Sequence, residues 1–126
     1  MSVHPTLSLQ IACLCAGWCG TCTAYGPLFR AVAAAHPEAR FGWIDVEDQA
    51  DALAEALGDA PEIDDFPTLL VLAAGRPVFY GPVLPQAGLL ERLLTEAARG
   101  GLAELRDPLA NAVGAAVAGL LDAGSA

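Results

Sequence analysis

Two cysteines stand two residues apart in "GWCGTC", residues 17–22, with Trp18 directly before the first. A pair at this spacing supports thiol–disulfide exchange or half of a thiolate metal site, or it does no chemistry because both thiols are packed. The other two cysteines, Cys13 and Cys15, lie just upstream, so all four sulfurs fall between positions 13 and 22. Exchange needs an accessible thiolate that attacks and a second thiol close by that resolves the mixed disulfide. Cys19 falls where a strand pattern gives way to a helical one, so its sulfur is expected near a helix N-terminus. Unpaired N–H groups and the helix dipole there favour thiolate over thiol. Cys22, one turn further in, is placed to resolve. A CxxC pair at a strand-to-helix junction is a strong redox signal.

The rival chemistry is zinc, for which Cys13, Cys15, Cys19 and Cys22 would supply four thiolates. Structural zinc sites commonly join two separated CxxC-like knuckles, whereas here one strand would offer two ligands from the same face. The preferred reading therefore has no metal. Cys13 and Cys15 are read as core residues, because free cysteine behaves as a small hydrophobe. The alternative is a secondary redox role, in which Cys13, on the face beneath the turn, exchanges with Cys22. Trp18 is expected to contact a partner. Asp64 and Asp65 are either a solvated loop or a source of negative charge near Cys19, which would raise its pKa and favour basic substrates. His4 and His36 have no evident route to Cys19, which argues against a cysteine–histidine dyad.

The elements that must position these residues follow from periodicity. In "TLSLQIACLC" (6–15), Leu7, Leu9, Ile11, Cys13 and Cys15 occupy alternate positions, while Ala12 and Leu14 fill the other face. This pattern marks a strand buried on both sides. Tyr25, Leu28, Phe29, Val32 and Ala33 then recur at helical spacing, with Pro27 inside the helix as a kinking residue. Residues 40–47 read as a second strand and 48–58 as a short helix. Residues 68–74 read as a third strand, and Gly75, Arg76 and Pro77 as a turn into a fourth. Pro77 and Pro82 place that fourth strand at an edge. A helix carrying Leu89, Leu90, Leu93, Leu94 and Ala97 ends at Gly100-Gly101, and Asp107-Pro108 opens a last one. The order gives a parallel pair joined by a crossover helix, then a hairpin backed by a helix.

At 126 residues and 55% apolar composition, the chain suits one packed domain, 1–126, with a core over 6–99 and a helical extension over 102–123. A net charge of −9, from 15 acids against 6 bases, disfavours nucleic acid and anionic membrane surfaces as partners. The start has no cationic region suggestive of a leader, and the apolar run 109–121 is shorter than the roughly 20 residues a membrane span needs. The expectation is a cytoplasmic protein, where clustered cysteines serve catalysis or metal binding more often than structural disulfides.

At these residues the sequence resembles thioredoxin, over roughly residues 8–98. "WCGTC" resembles the redox-active turn of that family, and Pro27 resembles its kinking helix proline. "FPT" (66–68) resembles the loop whose proline is cis and faces the redox pair, and Gly75 matches the hairpin turn that follows. The resemblance implies that Cys19 is the nucleophile and Cys22 the resolving thiol. It also implies that Trp18, Phe66 and the backbone beside Pro67 hold an extended partner chain. Four positions depart from the family. Thr21 replaces a proline, which implies a more oxidising pair. Cys13 replaces a buried aspartate that helps deprotonate the resolving cysteine, Trp43 replaces the lysine paired with it, and Cys15 replaces a tryptophan. Activation of Cys22 is then left to water or to another thiol.

The fold expected is α/β and thioredoxin-like. A mixed four-stranded sheet is flanked by helices, without the strand and helix that open thioredoxin and with an extra C-terminal helix. The strand at 40–47 would then be an edge. The function expected is reduction or exchange of protein disulfides through Cys19 and Cys22, without a cofactor, recycled by a cellular reductant or reductase. A non-catalytic binding module is the alternative, and the zinc module the more distant one. The stripe Leu102, Leu105, Leu109, Val113, Val117 and Leu120, with Gly114 and Gly119 for close approach, either packs back on the domain or forms a homodimer seam.

Overall fold

The computed structural model describes residues 8–16, 20–48, 67–83 and 86–124. The helix expected over 48–58 lies outside these residues except for Asp48. The elements are β1 (Leu9–Cys15), α1 (Gly20–Ala35), β2 (Arg40–Asp45), β3 (Thr68–Ala73), β4 (Arg76–Pro82), α2 (Ala87–Ala98) and α3 (Pro108–Gly124). The sheet order is β2-β1-β3-β4. β1 runs parallel to β2 and antiparallel to β3, and β3 and β4 form an antiparallel hairpin. The mixed sheet, the parallel pair and the edge position of β4 are as the sequence pattern indicates, and β2 is the other edge, as the resemblance implies.

β1 shows why the apolar residues run without a break. Leu9, Ile11, Cys13 and Cys15 face α1 and α2, packing with Tyr25, Phe29, Val32, Leu90 and Leu94. Ala12 and Leu14 face the other way, into a second cluster with Ile44, Leu70, Leu72, Val113 and Val117. Successive strand side chains alternate faces, so a strand between two helical layers has no polar side to show. Val113 and Val117 are both 0% exposed. Burying each contributes roughly 1.5–3 kcal/mol, which holds α3 on the sheet. The tail helix therefore packs back on the chain. Gly114 is buried against Leu72, whereas Gly119 has open space beside it, so close approach is needed at only one of the two glycines. The side chains of Leu109 and Leu120 lie outside the described set.

The β3–β4 turn is one residue earlier than the sequence suggests. Ala73 pairs with Arg76, so the central residues are Ala74 and Gly75, with φ of 53° and 80°. Two positive φ values make a type I′ turn, whose twist matches the flanking strands. Alanine is a poor choice there, which is why the sequence points to Gly75, Arg76 and Pro77 instead. A register shift between Val71 and Leu72 leaves Val78 as the extra residue of a bulge. Pro77 sits beside that bulge on the edge strand, where its missing N–H removes no needed ladder bond. Its carbonyl accepts a hydrogen bond from the Leu105 N–H at 2.8 Å, so the segment leading to α3 runs along β4.

α2 ends where the double glycine predicts. The Gly100 N–H donates to the Ala97 carbonyl at 3.2 Å and the Gly101 N–H to the Glu96 carbonyl at 2.8 Å. With Gly100 at φ 77°, this is a Schellman cap that satisfies two of the helix's last carbonyls. At the start of α3, the Asp107 carbonyl accepts the Asn111 N–H at 3.0 Å, and Pro108 fills the first helical position.

Candidate redox site

β1 ends at Cys15 and α1 begins at Gly20, so the sulfurs gather at the C-terminal end of a central strand and the N-terminal end of the helix that follows. Cys22 lies in the first turn of α1 on the face that packs against the sheet and is 2% exposed. Its sulfur is bonded to that of Cys15, with Cα atoms 5.9 Å apart, a separation inside the usual range for a disulfide. Cys13 is a free thiol, 0% exposed, with its sulfur 3.4 Å from that of Cys15. Cys15 carries no hydrogen while it is bonded to Cys22, so Cys13 is the donor in this contact. Burial pushes the Cys13 thiol up to about 12, which keeps its proton in place at neutral pH.

Cys13 and Cys15 are both core residues, as expected, but Cys15, and not Cys13, reaches Cys22. The two share one face of β1, which is all that a period of two can establish. Cys15 is the last strand residue, one full repeat closer to α1, and Cys13 is set back beneath it. Tyr25 and Phe29 of α1 cover this face, and their rings lie 6.0 Å apart. The Tyr25 phenol is pushed well above its ordinary value, first by burial and then by the charge Cys13 would carry if ionised.

Cys13 lies directly opposite Trp43 in the β1–β2 register. The two positions that carry an aspartate and a lysine in the family resemblance are thus neighbours, and here neither brings a charge at neutral pH. Trp43 is 40% exposed and stacks edge-on against Phe29 at 5.6 Å. With Ala16, Cys22, Arg30 and Asp45 it lines a cleft of about 260 Å³ that opens beside the first turns of α1. The Asp45 Oδ1 accepts the backbone N–H groups of Glu47 at 2.8 Å and Asp48 at 3.2 Å, so this carboxylate pins the turn leaving β2.

Pro67, at the start of β3, is buried, and its carbonyl accepts the Val83 N–H at 3.1 Å. The proline itself has no donor, and its carbonyl is engaged within the sheet. Phe66, Trp18 and Cys19 lie outside the described residues, as do Asp64, Asp65 and His4. Among the described residues, no group of three or more His, Cys, Asp or Glu is arranged to hold a metal ion. No described helix is long and apolar enough to cross a membrane.

His36 occupies a different place. It follows α1 at the opposite end of the helix from Cys22, with Nε2 2.8 Å from Glu91 of α2 and Nδ1 3.2 Å from Glu38. Its pKa is raised, chiefly by the hydrogen bond to Glu91. This is a brace between α1 and α2, remote from the sulfurs.

No protein-family model matches the chain. A Streptomyces coelicolor protein bearing the name "Putative thioredoxin 2" is 39% identical over 77 residues, which is 60% of this chain and 54% of that protein. The chain thus spans about half the length of the curated relative it matches. Among solved structures, thioredoxin NaTrxh from Nicotiana alata superposes with a TM-score of 0.59 at 27% identity, covering 72% of this chain and 74% of that one. A mutant thioredoxin from Halobacterium salinarum gives 0.58 at 29% identity, covering 73% and 76%. The fold is that of thioredoxin, and over 77 residues the sequence is similar to that of the Streptomyces protein.

Proposed function

We propose that this protein is a thiol–disulfide oxidoreductase acting on protein disulfides. Cys19 attacks one sulfur of the substrate, forming a mixed disulfide and releasing the other as a thiol. Cys22 then attacks Cys19, releasing the reduced substrate and leaving the pair oxidised. A cellular dithiol reductant or reductase returns the two electrons, and no cofactor takes part. The observation that carries this reading is the placement of Cys22, disulfide-competent in its bond to Cys15, in the first turn of a helix that begins immediately after Cys19 in sequence. Helix N-termini stabilise thiolate at that position, and the similarity to thioredoxins supports the same chemistry. Trp18, Phe66 and the backbone beside Pro67 form the surface that grips the partner chain. The setting is the cytoplasm, with a role in electron transfer and redox homeostasis.

Insulin reduction driven by dithiothreitol tests the reading. Wild-type protein should accelerate precipitation of the insulin B chain, and Cys19→Ser should return the rate to the uncatalysed background. Cys22→Ser should trap a mixed disulfide on Cys19, visible as a mass increment lost on reduction. Equal rates for wild type and Cys19→Ser would refute the assignment.

A further inference from the structure

Cys22 is asked to pair with two different sulfurs. The proposed cycle pairs it with Cys19, and the structure pairs it with Cys15 in the core. A third sulfur, Cys13, lies 3.4 Å behind Cys15. We infer that Cys22 is the shared member of two alternative disulfides, an outer one with Cys19 and an inner one with Cys15, so that oxidation captured at the turn passes into the core. The outer disulfide rests on the reading of Cys19 given above, whereas the inner one rests on Cys13, Cys15 and Cys22 alone.

The transfer is a disulfide isomerisation. The Cys15 thiolate attacks the Cys22 sulfur of the Cys19–Cys22 bond. The Cys15–Cys22 bond forms as the Cys19–Cys22 bond breaks, and Cys19 departs as a thiolate. The proton given up by Cys15 goes to solvent. One disulfide is present before and after, so no electrons enter or leave and no outside oxidant is required.

Two features favour the inner state. A thiol of lower pKa is the better leaving group. Helix N-termini lower the pKa of cysteines beside them, and α1 begins at Gly20, the residue after Cys19 in sequence. Cys13 keeps its proton and points it at the Cys15 sulfur, so it hydrogen-bonds the attacking thiolate in a pocket that otherwise disfavours charge. Cys13 is thus a positioning residue for the exchange. The inner state changes what the turn does. Cys19 is free to attack, but its resolver is occupied, so a mixed disulfide formed there persists until the inner bond reopens. The protein then alternates between a two-thiol mode that turns over and a one-thiol mode that holds its partner.

The test is thiol counting on oxidised protein. Cys19→Ser is treated with glutathione disulfide, quenched in acid, and alkylated with iodoacetamide in denaturant. The expected result is a fall from three alkylated cysteines to one, with the remaining label on Cys13. Three labels, or a single label on Cys15, would overturn the inference. A second arm needs no change at position 19. Oxidised wild type should label at Cys19 without unfolding, and the double variant Cys13→Ala/Cys15→Ala should label there at least about tenfold less, because its only possible internal disulfide is the outer one. Equal native labelling in the two proteins would also overturn it. Insulin reduction undiminished in Cys19→Ser would sink the proposed function while leaving the three-to-one count intact, so the two failures are distinguishable.

Discussion

Glycines 114 and 119 lie on one helix and should answer the same substitution with opposite signs. A Cβ at Gly114 would lie 3.2 Å from Leu72 Cδ2, while one at Gly119 would meet nothing within 4 Å. Replacing a helical glycine by alanine gains about 0.8–1.0 kcal/mol of intrinsic propensity. At Gly119 nothing opposes that gain, so Gly119→Ala should stabilise by just under about 1 kcal/mol. At Gly114 the methyl presses on Leu72, which is 1% exposed and has little room to retreat. Overpacking typically costs about 1–3 kcal/mol, so Gly114→Ala should fall between neutral and about 2 kcal/mol destabilising once its propensity gain is counted. Gly114→Leu must wedge further carbons between α3 and β3 and should destabilise by roughly 2 kcal/mol. With a urea m-value of about 2 kcal/mol/M, that moves the midpoint down by about 1 M. Urea titration followed by far-UV circular dichroism reads all three variants. If the two glycine positions responded alike, α3 would not be docked through Val113 and Val117 on this face. A midpoint that rises with protein concentration would instead favour the homodimer seam.

Three other outcomes follow from separate parts of the molecule. His36 has a raised pKa in the folded state, so its stabilisation is fully present below the unfolded value of about 6.5 and fades as pH rises through the folded value. The urea midpoint should therefore fall between about pH 6 and pH 8, and His36→Gln should remove the His36 part of that fall; an unchanged pH profile would dismiss the brace to Glu91. At the hairpin, Ala74→Gly should leave stability level or raise it slightly by relieving a left-handed alanine, whereas Gly75→Ala should cost about 1 kcal/mol. Thermal melts would contradict the type I′ turn if the two shifted in the same direction. Cys13→Ala should leave the fold intact but slow formation of the inner disulfide, and stopped-time alkylation would show whether removing the donor matters.

The sequence was most informative where one residue type has one physical use. The apolar run of β1 required two covering layers, and the structure supplies α1 and α2 on one side and α3 on the other. Gly100-Gly101 stopped α2 by a capping geometry that needs a positive φ. The pairing of Cys15 with Cys22 was not legible, because strand periodicity says which face a cysteine is on but not how far along the strand a helix meets it. The turn at Ala74 was hidden for a related reason. Strand register and the bulge at Val78 fix its place, and alanine gives no local sign of a turn. The exposed side of Trp43 depends on β2 being an edge, which is a property of the sheet and not of the residues near it.

The bond between Cys15 and Cys22 closes a loop of the chain whose ends are seven residues apart in sequence. That loop contains Trp18 and Cys19. Closing so short a ring removes conformational freedom worth roughly 2.5 kcal/mol from the open chain. The chain between the two sulfurs is therefore a closed ring while the bond stands and an open span once it is reduced. The electrons that decide which sulfur can react therefore also decide how many conformations are open to the chain between residues 15 and 22.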